Sequence, residues 1–135
     1  GTGCVILCAR MEADLLELSR DDAEAYRTEL GVTESGRDAL VRASYKLLNL
    51  VTFFTATGGK EVRAWSVPCG ATAGDAAGRI HSDMQRGFIG AEVVSFDVLD
   101  ELGSFAAVRE KGLLRLEGRD YRIQDGDVVH FRFNV

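Results

Sequence analysis

Proline is almost missing from this chain, with one residue in 135, so a Pro-rich linker is excluded. Cysteine is sparse and odd in number. Cys4, Cys8 and Cys69 make a poor disulfide framework. Cys4 and Cys8 fall on one expected strand, where four residues of rise set them about 13 Å apart, too far for a bridge. No CxxC pair occurs, so no metal site is expected. The thiols are expected to be reduced and buried, in a cytoplasmic protein. No apolar run approaches the roughly 18 residues of a membrane span, and no signal peptide opens the chain. It starts Gly1-Thr2-Gly3 without methionine, as expected of a piece whose natural start lies elsewhere or was removed. GxxxxGK[ST] is also absent, so no glycine-rich loop cradles phosphates.

What is present is globular. Hydrophobic residues make up 46% and charged residues 27%, a balance that excludes a disordered chain. The length allows one ordinary domain, or a small domain with an appendage. The formal net charge is −5, and residues 1–50 and 51–135 are both mildly acidic. Bulk attraction to nucleic acid is not written in that charge, so any RNA contact needs a local patch.

Residues 3–8, Gly-Cys-Val-Ile-Leu-Cys, read as a buried strand of parallel type, because an apolar run needs both faces covered. Met11, Leu15 and Leu18 follow helical spacing. Ser19-Arg20-Asp21-Asp22 is a capping box, and Ala23, Tyr26 and Leu30 form one face of the helix it starts, with Gly31 as its stop. Ser35-Gly36-Arg37-Asp38 repeats the signal ahead of an amphipathic helix carrying Leu40, Val41, Ser44, Leu47 and Leu48.

From residue 51 the period changes to two. Val51–Ala56 and Glu61–Val67 read as a hairpin about Thr57-Gly58-Gly59-Lys60, ended by Pro68. Thr72-Ala73-Gly74-Asp75 caps a helix expected to run to Gly87, with Ala73, Ala76, Ala77, Ile80 and Met84 as a narrow stripe of mostly small side chains that lets it lie close to a sheet. Asp75, Arg79 and Asp83 are spaced for a surface ion ladder. Ala91–Phe96 reads as a strand, followed by one or two short helices that stop at Gly112. Leu113–Glu117 and Tyr121–Ile123 read as a second hairpin about Gly118-Arg119-Asp120. Asp125-Gly126 is a tight turn before a last strand in which Val129, Phe131 and Phe133 alternate with Val128, His130 and Arg132. The order predicts an α+β, β-grasp (ubiquitin-like) arrangement over 51–135, its terminal strand parallel to the first in the middle of the sheet.

No residue carries a convincing catalytic signature. His81 and Asp83, two apart on a continuous helix, would face different ways. His130 has no second ligand at suitable spacing. Ser19 and Ser35 read as caps, and no GxSxG occurs. An apolar strand favours an inert thiol at Cys8. Lys60, Arg63, Lys111, Arg115, Arg119 and Arg122 are candidates for one basic sheet edge. With Trp65 or Tyr121 nearby, that edge is either an RNA or partner contact or a solvated charged face. A sulfur or protein carrier of ubiquitin-like fold needs a flexible C-terminal Gly-Gly, and this chain ends Phe133-Asn134-Val135.

Several dense blocks occur in order: Phe53-Phe54-Thr55-Ala56, Glu61-Val62-Arg63-Ala64-Trp65, Ala76-Ala77-Gly78-Arg79-Ile80-His81-Ser82-Asp83, Arg86-Gly87-Phe88-Ile89 and Asp125-Gly126-Asp127-Val128, with Phe131-Arg132-Phe133-Asn134-Val135 at the end. Together they resemble the C-terminal TGS domain of the YchF family, the Obg-related P-loop ATPases and GTPases. Residues 1–50 resemble the end of that family's nucleotide-binding (G) domain: its last sheet strand, the loop after it and the helices leading onward. The loop usually reads Ser-Ala-Lys and touches the nucleotide base through backbone amides; the matching positions here are Cys8, Ala9 and Arg10.

The resemblance implies a parent protein that binds and hydrolyses ATP, or GTP as a weaker ligand, with Mg2+, and that associates with the ribosome in the cytoplasm. These 135 residues lack the phosphate loop, the Walker-type aspartate, the Asn-x-x-Glu or Asn-Lys-x-Asp base-reading motif and the coiled-coil insertion. The chain is therefore expected to act as a binding and regulatory module with no catalytic residue of its own. It is expected to partner the parent nucleotide domain and the ribosome or RNA; residues 3–8, folded without the rest of their sheet, are expected to be disordered, to self-associate by pairing with another copy, or to swap between chains. The alternative is a stand-alone β-grasp interaction or RNA-binding domain.

Overall fold

The computed structural model describes residues 3–57 and 61–134. It divides into two compact units, Gly1–Leu48 and Asn49–Val135.

In the first unit, residues 3–8 form no strand. A strand exists only where its N–H and C=O groups find a neighbour, and among the described residues none pairs with this run. Ile6 is 94% exposed. Cys4 and Cys8 are exposed, as is Cys69 in the second unit, so the expectation of buried thiols fails along with that of the strand. Three helices follow: α1 (Ala9–Leu15), α2 (Arg20–Glu29) and α3 (Gly36–Leu47).

Ser19 Oγ accepts the Asp22 N–H at 3.2 Å, and Ser35 Oγ accepts the Asp38 N–H at 3.1 Å. Only half of the Ser19 box forms; the Asp22 carboxylate accepts from the Ser19 hydroxyl and not from the Ser19 N–H. Gly31 ends α2 at φ +68°. Glu12 of α1 reaches the start of α3, where Oε1 accepts the Gly36 N–H at 2.8 Å. Little of this unit is buried. Leu15, Ala23 and Gly36 are, but Leu40, Val41 and Leu47 are all more than half exposed.

The second unit is a five-stranded sheet in the order β2-β1-β5-β3-β4. β1 (Leu50–Thr57) and β2 (Glu61–Pro68) pair antiparallel from Leu50↔Pro68 to Thr57↔Glu61; the Gly58-Gly59-Lys60 turn lies outside the described residues. β5 (Asp127–Phe133) runs parallel to β1, with Phe54 opposite Val128, and antiparallel to β3 (Phe88–Ser95). The terminal strand thus lies central and parallel to the first, as the sequence order predicted. β4 (Arg115–Glu117) closes the far edge against β3.

Each sheet face has its own core. On one, Phe53, Val67, Val93, Val129 and Phe131 pack with Ala73, Ala76 and Ala77 of α4 (Ala73–Ile80), and the Phe53 and Phe131 rings meet edge to face at 6.1 Å. The small side chains of α4 are fully buried, so this helix sits directly on the sheet. Burying Phe53 completely contributes about 2–3 kcal/mol. On the other face, Val94, Val108 and Val128 pack with residues of α6 (Phe96–Leu102) and α7 (Phe105–Glu110).

Expectations for this unit are corrected at two places. The helix expected to reach Gly87 breaks at His81, whose backbone is extended (φ −158°, ψ 142°), and α5 (Ser82–Arg86) starts afresh. His81 Nδ1 accepts the Asp83 N–H at 3.1 Å and so caps the new helix. The ion ladder is lost as well: Asp75 completes a capping box with Thr72, and Asp83 pairs with Arg86. The second correction is at Tyr121–Ile123, which does not return as a strand onto β4. It pairs instead with the loop before α4, Tyr121 O accepting the Ala73 N–H at 2.7 Å and Ala71 O the Ile123 N–H at 3.0 Å.

Candidate interaction surfaces

Cys8, Ala9 and Arg10 open α1. Cys8 is its N-cap, with extended backbone and no side-chain cap, and the helical ladder starts with the Glu12 N–H donating to Cys8 O at 3.0 Å. The Ala9, Arg10 and Met11 amides precede that ladder.

The six basic candidates do not share one edge. Arg63 lies on β2 and Arg115 on β4, at opposite ends of the strand order; Lys60 lies outside the described residues. Most of the others are engaged within the fold. Arg63 pairs with Glu61 at 2.8 Å. Arg119 donates to Gln85 O at 2.6 Å and lies over the Phe88 ring at 5.4 Å. Its stem passes 2.9 Å from where a Cβ on Gly74 would stand. Arg122 donates to Gly70 O at 3.0 Å. These two arginines fasten the 119–122 segment to the start of α4 and the end of α5. Lys111 is exposed at the C-terminal end of α7.

Arg115 belongs to a small network. Its guanidinium donates to the Tyr121 hydroxyl at 3.0 Å, and that hydroxyl donates to Asp127 Oδ2 at 2.8 Å. The same carboxylate oxygen accepts the Gln124 N–H at 2.9 Å. Asp127 is only 2% exposed, so these contacts are what make its burial tolerable. Burial first, then the Asp127 hydrogen bond, hold the Tyr121 phenol above its ordinary range.

The break before α5 brings together what a continuous helix would separate: His81 Nδ1 is 3.5 Å from Asp83 Oδ2. The pair is no proton-transfer dyad, since Nδ1 already serves as a cap, and the Arg86 hydrogen bond holds the Asp83 carboxyl below its usual range. Among the described residues, no group of three His, Cys, Asp or Glu side chains is placed to hold a metal. No helix among them is long and apolar enough to cross a membrane.

Among the described residues of the second unit, two clefts stand out. One, of about 260 Å³, lies between α4–α5 and the sheet, lined by Ile80, Met84, Val129 and Phe131 among others. The other, of about 300 Å³, lies where Phe54 meets the start of α6, between Asp97 and Asp125. The second cleft went unseen in the sequence; its one local signal is an aromatic at the first position of a helix. In the first unit a wider cleft of about 720 Å³ sets Arg20, Arg27 and Arg42 among Glu24, Glu34 and Asp38, so its charges compensate internally. These surfaces can bind a partner.

The second unit is thus a mixed sheet with a central parallel strand and a helical layer on each face. The family model YchF-GTPase_C, described as "Protein of unknown function (DUF933)", matches residues 50–134, and the chain belongs to the YchF family. It is 50% identical over 131 residues to "Ribosome-binding ATPase YchF" of Bacillus subtilis (strain 168), covering 97% of this chain and 36% of that protein. It is 50% identical over 135 residues to the protein of the same name in Pasteurella multocida (strain Pm70), covering 100% of this chain and 37% of that one. The chain thus spans little more than a third of the length of these relatives. A solved YchF GTPase structure from Schizosaccharomyces pombe superposes with a TM-score of 0.78 at 29% identity, over 88% of this chain and 31% of that one.

Proposed function

We propose that the chain is the C-terminal part of a ribosome-associated, cytoplasmic nucleoside-triphosphate hydrolase, and that residues 51–135 are its TGS docking module of β-grasp type. Residues 1–50 are then the end of the nucleotide-binding domain. The reading is carried by one observation: likeness over the whole of this chain to 37% of a ribosome-binding ATPase, in a sequence without the GxxxxGK[ST] pattern. The β2-β1-β5-β3-β4 order with β1 parallel to β5 supports the β-grasp assignment.

In this reading ATP or GTP and Mg2+ are gripped by residues upstream, where the phosphate chemistry takes place. The amides at Cys8, Ala9 and Arg10 fit a contact to the base and nothing more. The many half-exposed apolar side chains of α3 fit a face that the rest of the nucleotide domain covers.

Two measurements test it. The 135-residue chain should co-sediment with ribosomes and should show no saturable micromolar binding of ATP. Nucleotide hydrolysis by the pure chain would refute the division of labour. Failure to co-sediment, with tight binding to free RNA instead, would favour a stand-alone RNA-binding domain.

A further inference from the structure

Helix α4 packs on one face of the β1–β2 hairpin, and α6 meets the other at Phe54. Phe53, Trp65 and Val67 belong to the α4 side. Phe54 and Ala64, one residue out of phase, turn to the opposite face, where α6 and α7 pack over Val94 and Val128. The hairpin beyond them is bare: Val62 is 69% exposed and Ala64 is exposed.

Where the bare sheet meets α6 lies the cleft of about 300 Å³. Its floor is aromatic, with the Phe54 and Phe96 rings 6.1 Å apart and tilted 44°, and Phe96 is half exposed. Its rim is acidic. Asp125 is pinned there because Oδ1 accepts the Thr52 N–H at 2.7 Å. The Asp97 side chain makes no hydrogen bond or ion pair among the described residues, and no Lys or Arg among them lines the cleft. An open aromatic floor beside two uncompensated carboxylates attracts a cation and repels phosphate.

We propose that this face docks a basic polypeptide, with an arginine or lysine side chain laid over Phe54 and Phe96 and paired with Asp97 and Asp125. A guanidinium satisfies both halves of the cleft, stacking on the rings and donating to carboxylates. The neighbouring Val62 and Ala64 receive apolar residues flanking that cation. This extends the reading of the unit as a docking module by naming the chemistry of its partner.

The test titrates the isotope-labelled 135-residue chain with a deca-arginine peptide and, separately, with decauridine RNA, following backbone amides and Kd. Peptide shifts should centre on residues 95–97 and 125–126. Asp97→Lys should weaken deca-arginine binding about tenfold, while Asp120→Lys, an equal change in net charge on an exposed loop, should weaken it less than about twofold. Phe96→Ala should cost arginine peptide more than the matched deca-lysine peptide, because guanidinium stacks on an aromatic face better than ammonium. Equal losses from both charge variants, shifts centred elsewhere, or decauridine moving the same amides would overturn the proposal. Ribosome co-sedimentation is measured apart from these titrations, so failure here leaves that reading standing.

Discussion

Replacing Gly87 with alanine places a Cβ 1.9 Å from Asn134 O and 2.8 Å from Asn134 C. Both are backbone atoms, so no rotamer change relieves the clash. Gly87 has φ −87°, which any residue adopts, so the penalty is purely steric. The chain must move by about 1.4 Å to restore an ordinary carbon–oxygen contact. That movement pulls on the hydrogen bond from Asn134 N–H to Gly87 O, now 2.9 Å, and on Phe133, which opposes Phe88 in the register. Overpacking costs about 1–3 kcal/mol and a weakened hydrogen bond about 0.5–1.5 kcal/mol. A loss of about 2–4 kcal/mol is expected for the Asn49–Val135 unit. Urea unfolding followed by the single Trp65 should show a lower midpoint at unchanged slope. Gly78→Ala is the matched control. Its Cβ meets the Gln85 side-chain end at 2.7 Å, a flexible group that swings away, and alanine gains about 0.5–1 kcal/mol of helix propensity. A neutral Gly87→Ala, or equal losses in the two variants, would refute this account of the chain's end.

Three further outcomes are expected. Asp75→Ala removes the reciprocal cap of α4 and should cost about 1 kcal/mol by urea unfolding; because the Thr72 backbone and side-chain hydrogen bonds hold Asp75 below its ordinary value, its stabilisation is present above the unfolded carboxylate range and lost as pH falls through the folded value, so the variant should show a flatter acid limb. Tyr121→Phe strips the hydroxyl from Asp127 Oδ2 and from Arg115, and should cost about 1–3 kcal/mol because Asp127 stays buried; with Tyr121 raised in the folded state, its contribution holds below the unfolded phenol value and is lost as pH rises through the folded one, a loss the variant should not show. Ser35→Ala should lower helix content in the first unit at a cost of about 1 kcal/mol, read by circular dichroism during unfolding.

Local patterns were legible where one residue's chemistry decides the outcome. Ser19, Ser35 and Thr72 cap as their hydroxyls require, Gly31 and Gly126 take positive φ, and the period-two runs form the β1–β2 hairpin. The alanine stripe of α4 foretold its close seat on the sheet. Misreadings arose where a distant partner outbids the local signal. Gly3–Cys8 has strand composition, but no neighbour among the described residues supplies its hydrogen bonds. Tyr121–Ile123 alternates like a strand, yet Ala71, Ala73 and Asp127 take up its polar groups. The helix break at His81 was hidden because the stripe keeps its period to Met84, while a histidine ring replaces the missing backbone acceptor.

The basic candidates and the acidic cleft show the same division. The sequence offered its basic residues as either a contact edge or a solvated charged face, but strand order sets Arg63 and Arg115 at opposite sides and spends Arg119 and Arg122 as surface fasteners. Phe54, Phe96, Asp97 and Asp125 are dispersed in the sequence and meet only because β5 enters between β1 and β3. Period, caps and turns determined which segments become helix or strand, since those depend on neighbours within a few residues. Which surfaces remain open, and with what charge, was decided by the sheet's long-range pairing, because that pairing sets which side chains share a face and which polar groups are already satisfied.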